Sequence, residues 1–185
     1  MFNVDCVIGI DPGSQGGIAV WRAGLNTVTA RMPKDVHDLS DMLSYYADFR
    51  TLVFLEKVQL RPDDVMMQDG KAVLGKMYRM QKLLANFEQL KTVITMAGLP
   101  YCLVHPQKWI AGLGLRTEGG QREDKAERKK RYKTFAQYHY PEVKTTLWNS
   151  DALCLVHWGR KMLADPKGQR WIEANLPKKE QEKLL

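Results

Sequence analysis

The chain has 185 residues, of which 44% are hydrophobic and 26% are charged. This length allows one domain with a substantial core and argues against two large ones. Lysine and arginine number 28 against 21 acidic residues, so the formal net charge is +7 and the isoelectric point is near 9.3. Such a balance favours a polyanionic partner, nucleic acid first of all. The simpler alternative is a basic protein whose charge serves only solubility.

Cysteine usage and hydropathy indicate the compartment. Cys6, Cys102 and Cys154 lie in apolar runs and are too far apart in sequence to form a paired zinc motif. We interpret them as buried free thiols in a reducing environment. No basic stretch leads into an apolar signal core, and no run of apolar residues is long enough for a membrane helix. We expect a cytoplasmic protein without membrane association, nucleoid-associated or phage-encoded, with an organellar matrix as an open alternative.

The first third of the chain alternates between β-branched or aromatic runs and glycine-rich or polar turns, which predicts strands with tight connections. The first predicted strand stops at Asp11-Pro12-Gly13. The fourth is apolar throughout and ends at Glu56, as expected for a central strand that is buried on both faces. The predicted elements are strands at residues 4–10, 16–22, 25–32 and 51–56 and an amphipathic helix at residues 36–49.

The remainder is mainly helical in pattern, with one further strand. Apolar residues from Met77 to Ile94 recur at intervals of three and four, which is the strongest helical pattern in the sequence. Together the elements predict an α/β protein with a mixed five-stranded sheet flanked by helices. We expect one domain at residues 1–164 and a polar, solvated helical tail at residues 165–185. The predicted elements are helices at residues 70–98, 105–113, 122–140 and 150–164, a strand at residues 100–104 and a polar loop at residues 117–121.

Three acidic residues stand where a catalytic site needs them. Asp11 ends the first strand, Glu56 ends the fourth, and Asp151 opens a late helix. The first and fourth strands of a mixed sheet can be neighbours, which would bring two of these carboxylates together. Clustered carboxylates repel one another unless a cation neutralises them, and hard oxygen ligands select Mg²⁺ or Mn²⁺. The alternative is that each acid is a turn residue or a helix cap, and for Asp151 capping alone would explain the position.

Three sequence motifs carry a resemblance to a known family. The string IGIDPGSQGGIA at residues 8–19 resembles the first motif of RuvC-type resolvases, and VFLEKV at residues 53–58 is similar to the second. The string SDALCL at residues 150–155 resembles the late Asp-Ala-Leu helix motif. Residues 70–109 are similar to phage and organellar members, and order and spacing agree across roughly residues 4–160.

The resemblance implies a ribonuclease H-like fold and a crossover junction endonuclease that cuts Holliday junctions by symmetric paired nicks. It implies that Asp11, Glu56 and Asp151 bind two Mg²⁺ or Mn²⁺ ions beside the scissile phosphate, one to activate the attacking water and one to stabilise the leaving oxygen. Lys125 matches a family lysine near that phosphate, where a fixed charge would favour the transition state. The alternative for Lys125 is a solvated surface lysine.

The sequence departs from the family pattern at two places. The usual fourth acid lies about one helical turn before the Asp-Ala-Leu motif, where this chain has Trp148. Asn149 is the nearest oxygen ligand, and because an amide adds no charge a second metal ion should bind more weakly. Gln59 stands where some bacterial members carry an aromatic wedge, a role that Met66 and Met67 are weak candidates to fill.

Basic residues near the second and late motifs predict a DNA-binding surface that contacts backbone phosphates without reading bases. A solvated charged face is the alternative interpretation of such runs. In this family the long helix also packs across a two-fold axis, so we expect a homodimer that matches the symmetry of a four-way junction. The residues predicted to bind DNA are Lys57, Arg61, Lys71, Lys76, Arg79, Lys82, Arg128 and Lys129.

Two other functions compete with the nuclease. A non-catalytic junction-binding protein would keep the fold and the basic surface without a complete metal site, and Trp148 favours it. Metal-dependent cleavage separates these two hypotheses. The third hypothesis takes the glycine-rich turn after Asp11 as the phosphate loop of an actin-like or sugar-kinase fold. Those proteins enclose ATP between two such domains, which this length cannot supply, so we expect no nucleotide cofactor.

Overall fold

The computed structural model describes residues 2–13, 15–58, 74–117 and 124–184. Within these ranges the chain forms one sheet with helices on both faces. The strands are β1 (Cys6–Ile10), β2 (Gly17–Arg22), β3 (Val28–Arg31), β4 (Thr51–Glu56) and β5 (Tyr101–Val104). The helices are α1 (Val36–Ser44), α2 (Leu74–Met96), α3 (Pro106–Gly112), α4 (Lys125–His139), α5 (Ser150–Ala164), α6 (Pro166–Asn175) and α7 (Lys178–Gln181).

The sheet has the order β3-β2-β1-β4-β5. The first three strands pair antiparallel, whereas β4 runs parallel to β1 and β5 parallel to β4. This arrangement confirms the predicted α/β class and the mixed five-stranded sheet of a ribonuclease H-like fold. Because β1 and β4 are parallel neighbours, with Ile10 opposite Leu55, both strands end at the same edge of the sheet. Asp11 and Glu56 therefore stand at that edge.

The core forms two layers, one on each face of the sheet, and β1 contributes to both. Its side chains alternate between faces, so Val7 joins the layer beneath α4, α5 and α6, while Ile8 and Ile10 join the layer beneath α1 and α2. Every residue of β1 is buried. A strand buried on both faces needs an almost wholly apolar sequence, and this requirement explains the uninterrupted hydrophobic run before Asp11.

Helix α5 lies against the backbone of β1 at Gly9. A Cβ atom added to Gly9 would come within 2.4 Å of the Ala152 carbonyl oxygen and 2.9 Å of the Val156 nitrogen. The same helix approaches β4 at Gly159, where an added Cβ would lie 2.3 Å from the Phe54 ring. These contacts hold α5 at a fixed height above the sheet. They also fix the first turn of α5, which carries Asp151.

Two elements are shorter than their sequence patterns predict. The predicted helix at residues 36–49 ends at Ser44 and continues as tight turns, in which the Tyr46 amide donates to the Leu43 carbonyl at 3.0 Å. The predicted strand at residues 25–32 pairs only over Val28–Arg31. Gly24 turns the chain with a φ of 76°, and the side chain of Leu25 is 57% exposed, so the hydrophobic start of that run lies outside the sheet.

The C-terminal segment is helical but is not solvated throughout, so that part of the prediction is wrong. Ile172, Leu176 and Leu184 are buried in the same layer as α5. The Asn3 amide donates to the Leu184 carbonyl at 2.7 Å, which joins the two ends of the described chain. A few apolar residues in a polar segment are thus enough to dock it. The predicted domain division at residue 164 stays a prediction.

Two further findings concern the thiols and the helices. Cys6, Cys102 and Cys154 are free and buried, as predicted. In the part of the chain that the structure describes, no helix combines the length and the apolar character that a membrane span needs.

Replacing Gly9 with alanine tests the contact between α5 and β1. We expect Gly9→Ala to lower the free energy of unfolding by about 1–3 kcal/mol or more, because the clash is with backbone atoms that cannot rotate away. Gly75→Ala is the matched control, since nothing lies within 4 Å of its added Cβ, and it should leave stability unchanged or raise it by up to about 1 kcal/mol. Urea denaturation of both variants measures the difference, and equal stabilities would contradict this account of the contact.

Candidate active site

An open cleft of about 820 Å³ lies at the sheet edge where β1 ends. A smaller cavity of about 250 Å³ adjoins it, lined by Asp11, Glu56, Lys57 and residues at the start of α3. Asp11 borders both spaces and so marks their junction. The cleft is lined by Asp11, Gly13, Gln15, Gly16, Arg31, Arg79, Lys82, Leu83, Asn86, Lys125, Lys129, Leu147 and Trp148.

The turn after β1 holds the Asp11 carboxylate in place. Its Oδ1 accepts a hydrogen bond from the Gly13 amide at 3.0 Å. The turn leaves no room for a side chain at Gly16, where an added Cβ would lie 2.3 Å from the Asp11 carbonyl oxygen. Asn86 of α2 donates to the Pro12 carbonyl at 2.7 Å. The loop is therefore held by a hydrogen bond within the turn and by a second hydrogen bond to the long helix α2.

A buried tryptophan orients Glu56. The Trp109 indole Nε1 donates to Glu56 Oε2 at 2.9 Å. Trp109 is 1% exposed, and its ring packs edge-on against Tyr132 at a centroid distance of 5.0 Å. The indole therefore has one position, and the carboxylate at the end of β4 is held by it.

Asp151 is the second residue of α5, and both of its carboxylate oxygens are engaged. Oδ1 accepts from the Ser150 hydroxyl at 3.0 Å, and Oδ2 accepts from the Lys129 Nζ at 2.5 Å. The N-cap residue of the helix is Asn149. Asp151 therefore serves as an ion-pair partner inside the site, and the capping alternative does not describe its role.

The three carboxylates interact strongly. Burial raises the pKa of Glu56 to about 8, and the charges of Asp11 and Asp151 add to this effect. Burial likewise raises the pKa of Asp11, with Asp151 as the next cause. The hydrogen bond from Trp109 and the charge of Lys129 oppose the shift at Glu56 without cancelling it. An added cation would relieve this repulsion, so the site favours binding one.

Lys129 is the cation that the structure brings into the carboxylate group. Burial lowers the pKa of Lys129, but the neighbouring carboxylates, Asp151 first, raise it by more, so the net shift is upward and the side chain stays charged. The sequence assigned Lys129 to DNA binding and Lys125 to the reacting phosphate. Lys125 begins α4 one turn earlier, is exposed and lines the cleft.

Trp148 stands at the position where the resemblance of the sequence implies a fourth acid. Its ring packs against Gly17, where an added Cβ would come within 2.7 Å of the indole. The Arg31 guanidinium lies 5.3 Å from the ring centroid on the cleft side, an arrangement that favours a cation–π contact. The site therefore has an aromatic side chain and an arginine at this position, and no carboxylate.

Asn149 does not replace the missing acid. The side chain is fully buried, and its carbonyl oxygen accepts from the Thr146 amide at 2.7 Å and from the Thr146 hydroxyl at 3.1 Å. Its amide nitrogen donates to the Thr29 hydroxyl and to the Lys144 carbonyl, each at 3.2 Å. These bonds tie the loop before α5 to β3. The carbonyl oxygen of Asn149, the nearest oxygen ligand to position 148 in sequence, is therefore already engaged by Thr146.

The donor chemistry of the site suits a hard divalent cation, since carboxylate oxygens are the ligands that Mg²⁺ and Mn²⁺ prefer. The described side chains do not form a complete set of metal ligands. Across residues 2–13, 15–58, 74–117 and 124–184, no three or more His, Cys, Asp or Glu side chains form a group able to hold one ion. Asp151, the third carboxylate, is engaged by the ammonium of Lys129.

The predicted DNA-binding residues fall into four groups. Arg79, Lys82 and Lys129 line the cleft, whereas Lys57 lines the smaller cavity. Arg128 is exposed on α4. Outside the described residues lie Arg61 and Lys71, the side chain of Lys76, and also Gln59, Met66 and Met67.

Sequence reasoning missed three residues that shape the site, namely Arg31, Asn86 and Trp109. Arg31 was detectable in principle, because antiparallel pairing of β2 and β3 sets it opposite Gly17 at the end of the first motif. The bonds of Asn86 and Trp109 span 74 and 53 residues of sequence. No local pattern indicates contacts of that range.

Comparison with known proteins gives distant likenesses. No family model matches the chain, and no curated protein matches it. Among solved structures, the chain is similar to Thermus thermophilus RuvC in complex with a Holliday junction substrate, with a TM-score of 0.48 and 14% identity over 86% of this chain and 94% of that chain. It is also similar to a second Thermus thermophilus RuvC structure, with a TM-score of 0.46 and 13% identity over 86% of this chain and 95% of that chain.

The raised pKa of Glu56 predicts a pH-dependent stability. Without a cation, the folded state holds this proton up to about pH 8, so its contribution is full at acidic pH and is lost as the pH rises toward and through about 8. We expect the free energy of unfolding in EDTA to fall as the pH rises from the ordinary glutamate pKa of 4.5 to about 8. Glu56→Gln, which stays neutral, should weaken the fall.

Urea denaturation of both proteins in EDTA across this pH range measures the effect. Saturating Mg²⁺ should reduce the loss in the wild-type protein, because the cation replaces the proton. If the wild-type protein and Glu56→Gln had the same pH dependence, Glu56 would not be the group that causes it.

Proposed function

We propose that this chain is a metal-dependent endonuclease that resolves branched DNA, Holliday junctions in particular, by symmetric paired nicks. One observation carries the proposal: Asp11, Glu56 and Asp151 interact electrostatically at one edge of the sheet, beside a cleft lined with cations. Carboxylates that repel one another in this way favour a divalent cation. The neighbouring cations favour a substrate that carries negative charge.

Asp11 and Glu56 would hold Mg²⁺ or Mn²⁺. Such an ion, when bound, lowers the pKa of an attacking water and offsets charge on a phosphoryl group. The chain supplies the other requirements. Trp109 fixes the orientation of Glu56, and the tight turn at Gly13 and Gly16 holds the Asp11 carboxylate in place.

The cleft supplies phosphate contacts from both walls. Arg31 comes from β3, Arg79 and Lys82 come from α2, and Lys125 comes from α4. Contacts of this kind bind the DNA backbone and respond to its shape more than to its sequence. The choice of a four-way junction rests on the motifs at residues 8–19, 53–58 and 150–155, and the likeness to phage and organellar enzymes rests on residues 70–109. We infer a cytoplasmic setting, which the free buried thiols suit.

We also propose a homodimer that forms through the first half of α2. The apolar stripe of this helix, from Met77 to Ile94, divides into two parts. Phe87 and Leu90 are buried in the core, whereas Met77 and Tyr78 are 45% and 59% exposed. Large apolar side chains on an exposed helix face are typical of an interface. A two-fold arrangement would let one dimer contact both halves of a symmetric junction.

Sedimentation tests the dimer. The wild-type protein should sediment as a dimer at micromolar concentration, and Met77→Glu should shift it toward monomer because a charge would enter an apolar interface. Met96→Glu is the matched control, since Met96 is 81% exposed at the other end of the same helix. A monomeric wild-type protein, with and without junction DNA, would refute the dimer, and equal effects of the two substitutions would refute the interface.

A non-catalytic junction-binding protein is the second candidate. The observations that favour it are the indole of Trp148 at the position of an acid and the full engagement of Asn149. Such a protein would bind four-way junctions through the same cations. It would not nick them under any metal condition.

Cleavage of a labelled four-way junction separates the two functions. We expect symmetric nicks in Mg²⁺ or Mn²⁺, none in EDTA and none on matched linear duplex. Asp11→Asn should reduce the rate by at least about 10²-fold while leaving junction binding intact. Ser44→Ala, at the end of α1, is a control substitution outside the residues that line the cleft and should cleave normally.

Each outcome of this experiment is informative. Nicking that needs both metal and Asp11 supports the nuclease. Tight junction binding without nicking in any metal supports the binding protein. If junctions are bound no better than duplex and are not nicked, both functions are wrong.

A further inference from the structure

The carboxylate group already contains one cation, and the protein supplies it. Lys129 Nζ lies 2.5 Å from Asp151 Oδ2. The two side chains are 24% and 9% exposed, so this ion pair is largely shielded from water. The carboxylates also keep Lys129 charged. A shielded pair of this kind is far less weakened by solvent and salt than a surface salt bridge.

This ion pair limits the role of Asp151 as a metal ligand. Its Oδ1 accepts from Ser150 and its Oδ2 from Lys129. A metal ion bound to Oδ2 would have to displace an ammonium group from a shielded position. It would also bring a double positive charge against that ammonium, and like charges at this separation repel strongly.

The two residues before Ser150, Trp148 and Asn149, offer no substitute ligand. Trp148 has an indole where the family pattern has an acid, and the Arg31 guanidinium lies over that ring. The carbonyl oxygen of Asn149 is engaged by Thr146. Among the residues that the structure describes, the side of the site around Asp151 therefore has positive charge from Arg31 and Lys129, and the Asn149 oxygen is already engaged.

The formal charges lead to the same conclusion. Asp11, Glu56 and Asp151 carry three negative charges when ionised, and Lys129 carries one positive charge. A single divalent cation balances the two that remain, and a second one would leave the group positive. The charge balance and the ligand supply both match one metal ion.

We propose that the ammonium of Lys129 takes the place of a second divalent cation, so that the site loads one Mg²⁺ or Mn²⁺, held by Asp11 and Glu56. The inference rests on the proposed function and replaces the expectation of two ions. The ammonium offers a fixed positive charge beside the phosphate, which favours a transition state with increased negative charge. Its place is occupied before any metal binds.

Counting bound Mn²⁺ tests this assignment. Electron paramagnetic resonance measures free Mn²⁺ during a titration of the full chain without DNA. We expect one Mn²⁺ per chain in the wild-type protein and two in Lys129→Met, which keeps the aliphatic stem and releases Asp151. Lys125→Met is the matched control. It removes the same charge from the same cleft and should still bind one.

A second variant separates charge from folding. Lys129→Arg keeps a cation beside Asp151 and should bind one Mn²⁺, whereas a disordered site would bind none. Circular dichroism and urea denaturation show whether each variant is folded. Anomalous scattering from crystals soaked in Mn²⁺ gives the position, and the single wild-type peak should lie at Asp11 and Glu56.

Three results would overturn the proposal: two ions or none in the wild-type protein, one ion in folded Lys129→Met, or two ions in Lys125→Met as well. The count is made without DNA and does not depend on cleavage. One ion in the wild-type protein and two in Lys129→Met, without nicking of any junction, would refute the nuclease and leave the role of Lys129 intact.

Discussion

The contact of α5 with β1 at Gly9 is the constraint on which the site depends. Only a strand without a side chain at that point lets a helix backbone come within van der Waals distance of the sheet. The helix then starts directly above the edge where β1 and β4 end. Asp151 comes into electrostatic range of Asp11 and Glu56 for this reason. The carboxylate group is therefore a product of backbone packing as much as of the acids themselves.

This geometry has an energetic cost, which is visible in the ionisation of the site. Repulsion and burial raise the pKa of Glu56 to about 8, so at neutral pH the folded protein without a cation favours a proton on that carboxyl group. Lys129 relieves part of the cost at Asp151. The hydrogen bonds from Trp109 and Gly13 offset part of what remains, and the strongly perturbed ionisation that is left is typical of functional sites.

The fold and the three acids were predictable from the sequence because they depend on short-range patterns. Continuous apolar runs indicate strands buried on both faces, and the acids follow the ends of such runs at Asp11 and Glu56. The choice between Lys125 and Lys129 was not predictable. Both lie on one basic helix, one turn apart, and which of them reaches Asp151 depends on how α4 packs against α5. The bond from Trp109 depends in the same way on tertiary packing.

The contact between Trp148 and Gly17 makes the side chains that are possible at these two distant positions depend on each other. The indole occupies the space that a side chain at position 17 would need, and Arg31 rests against its ring. An acid at position 148 would therefore leave a void beside β2 and an arginine without its aromatic support. A substitution that places an acid at position 148 therefore loses packing unless positions 17 and 31 change with it.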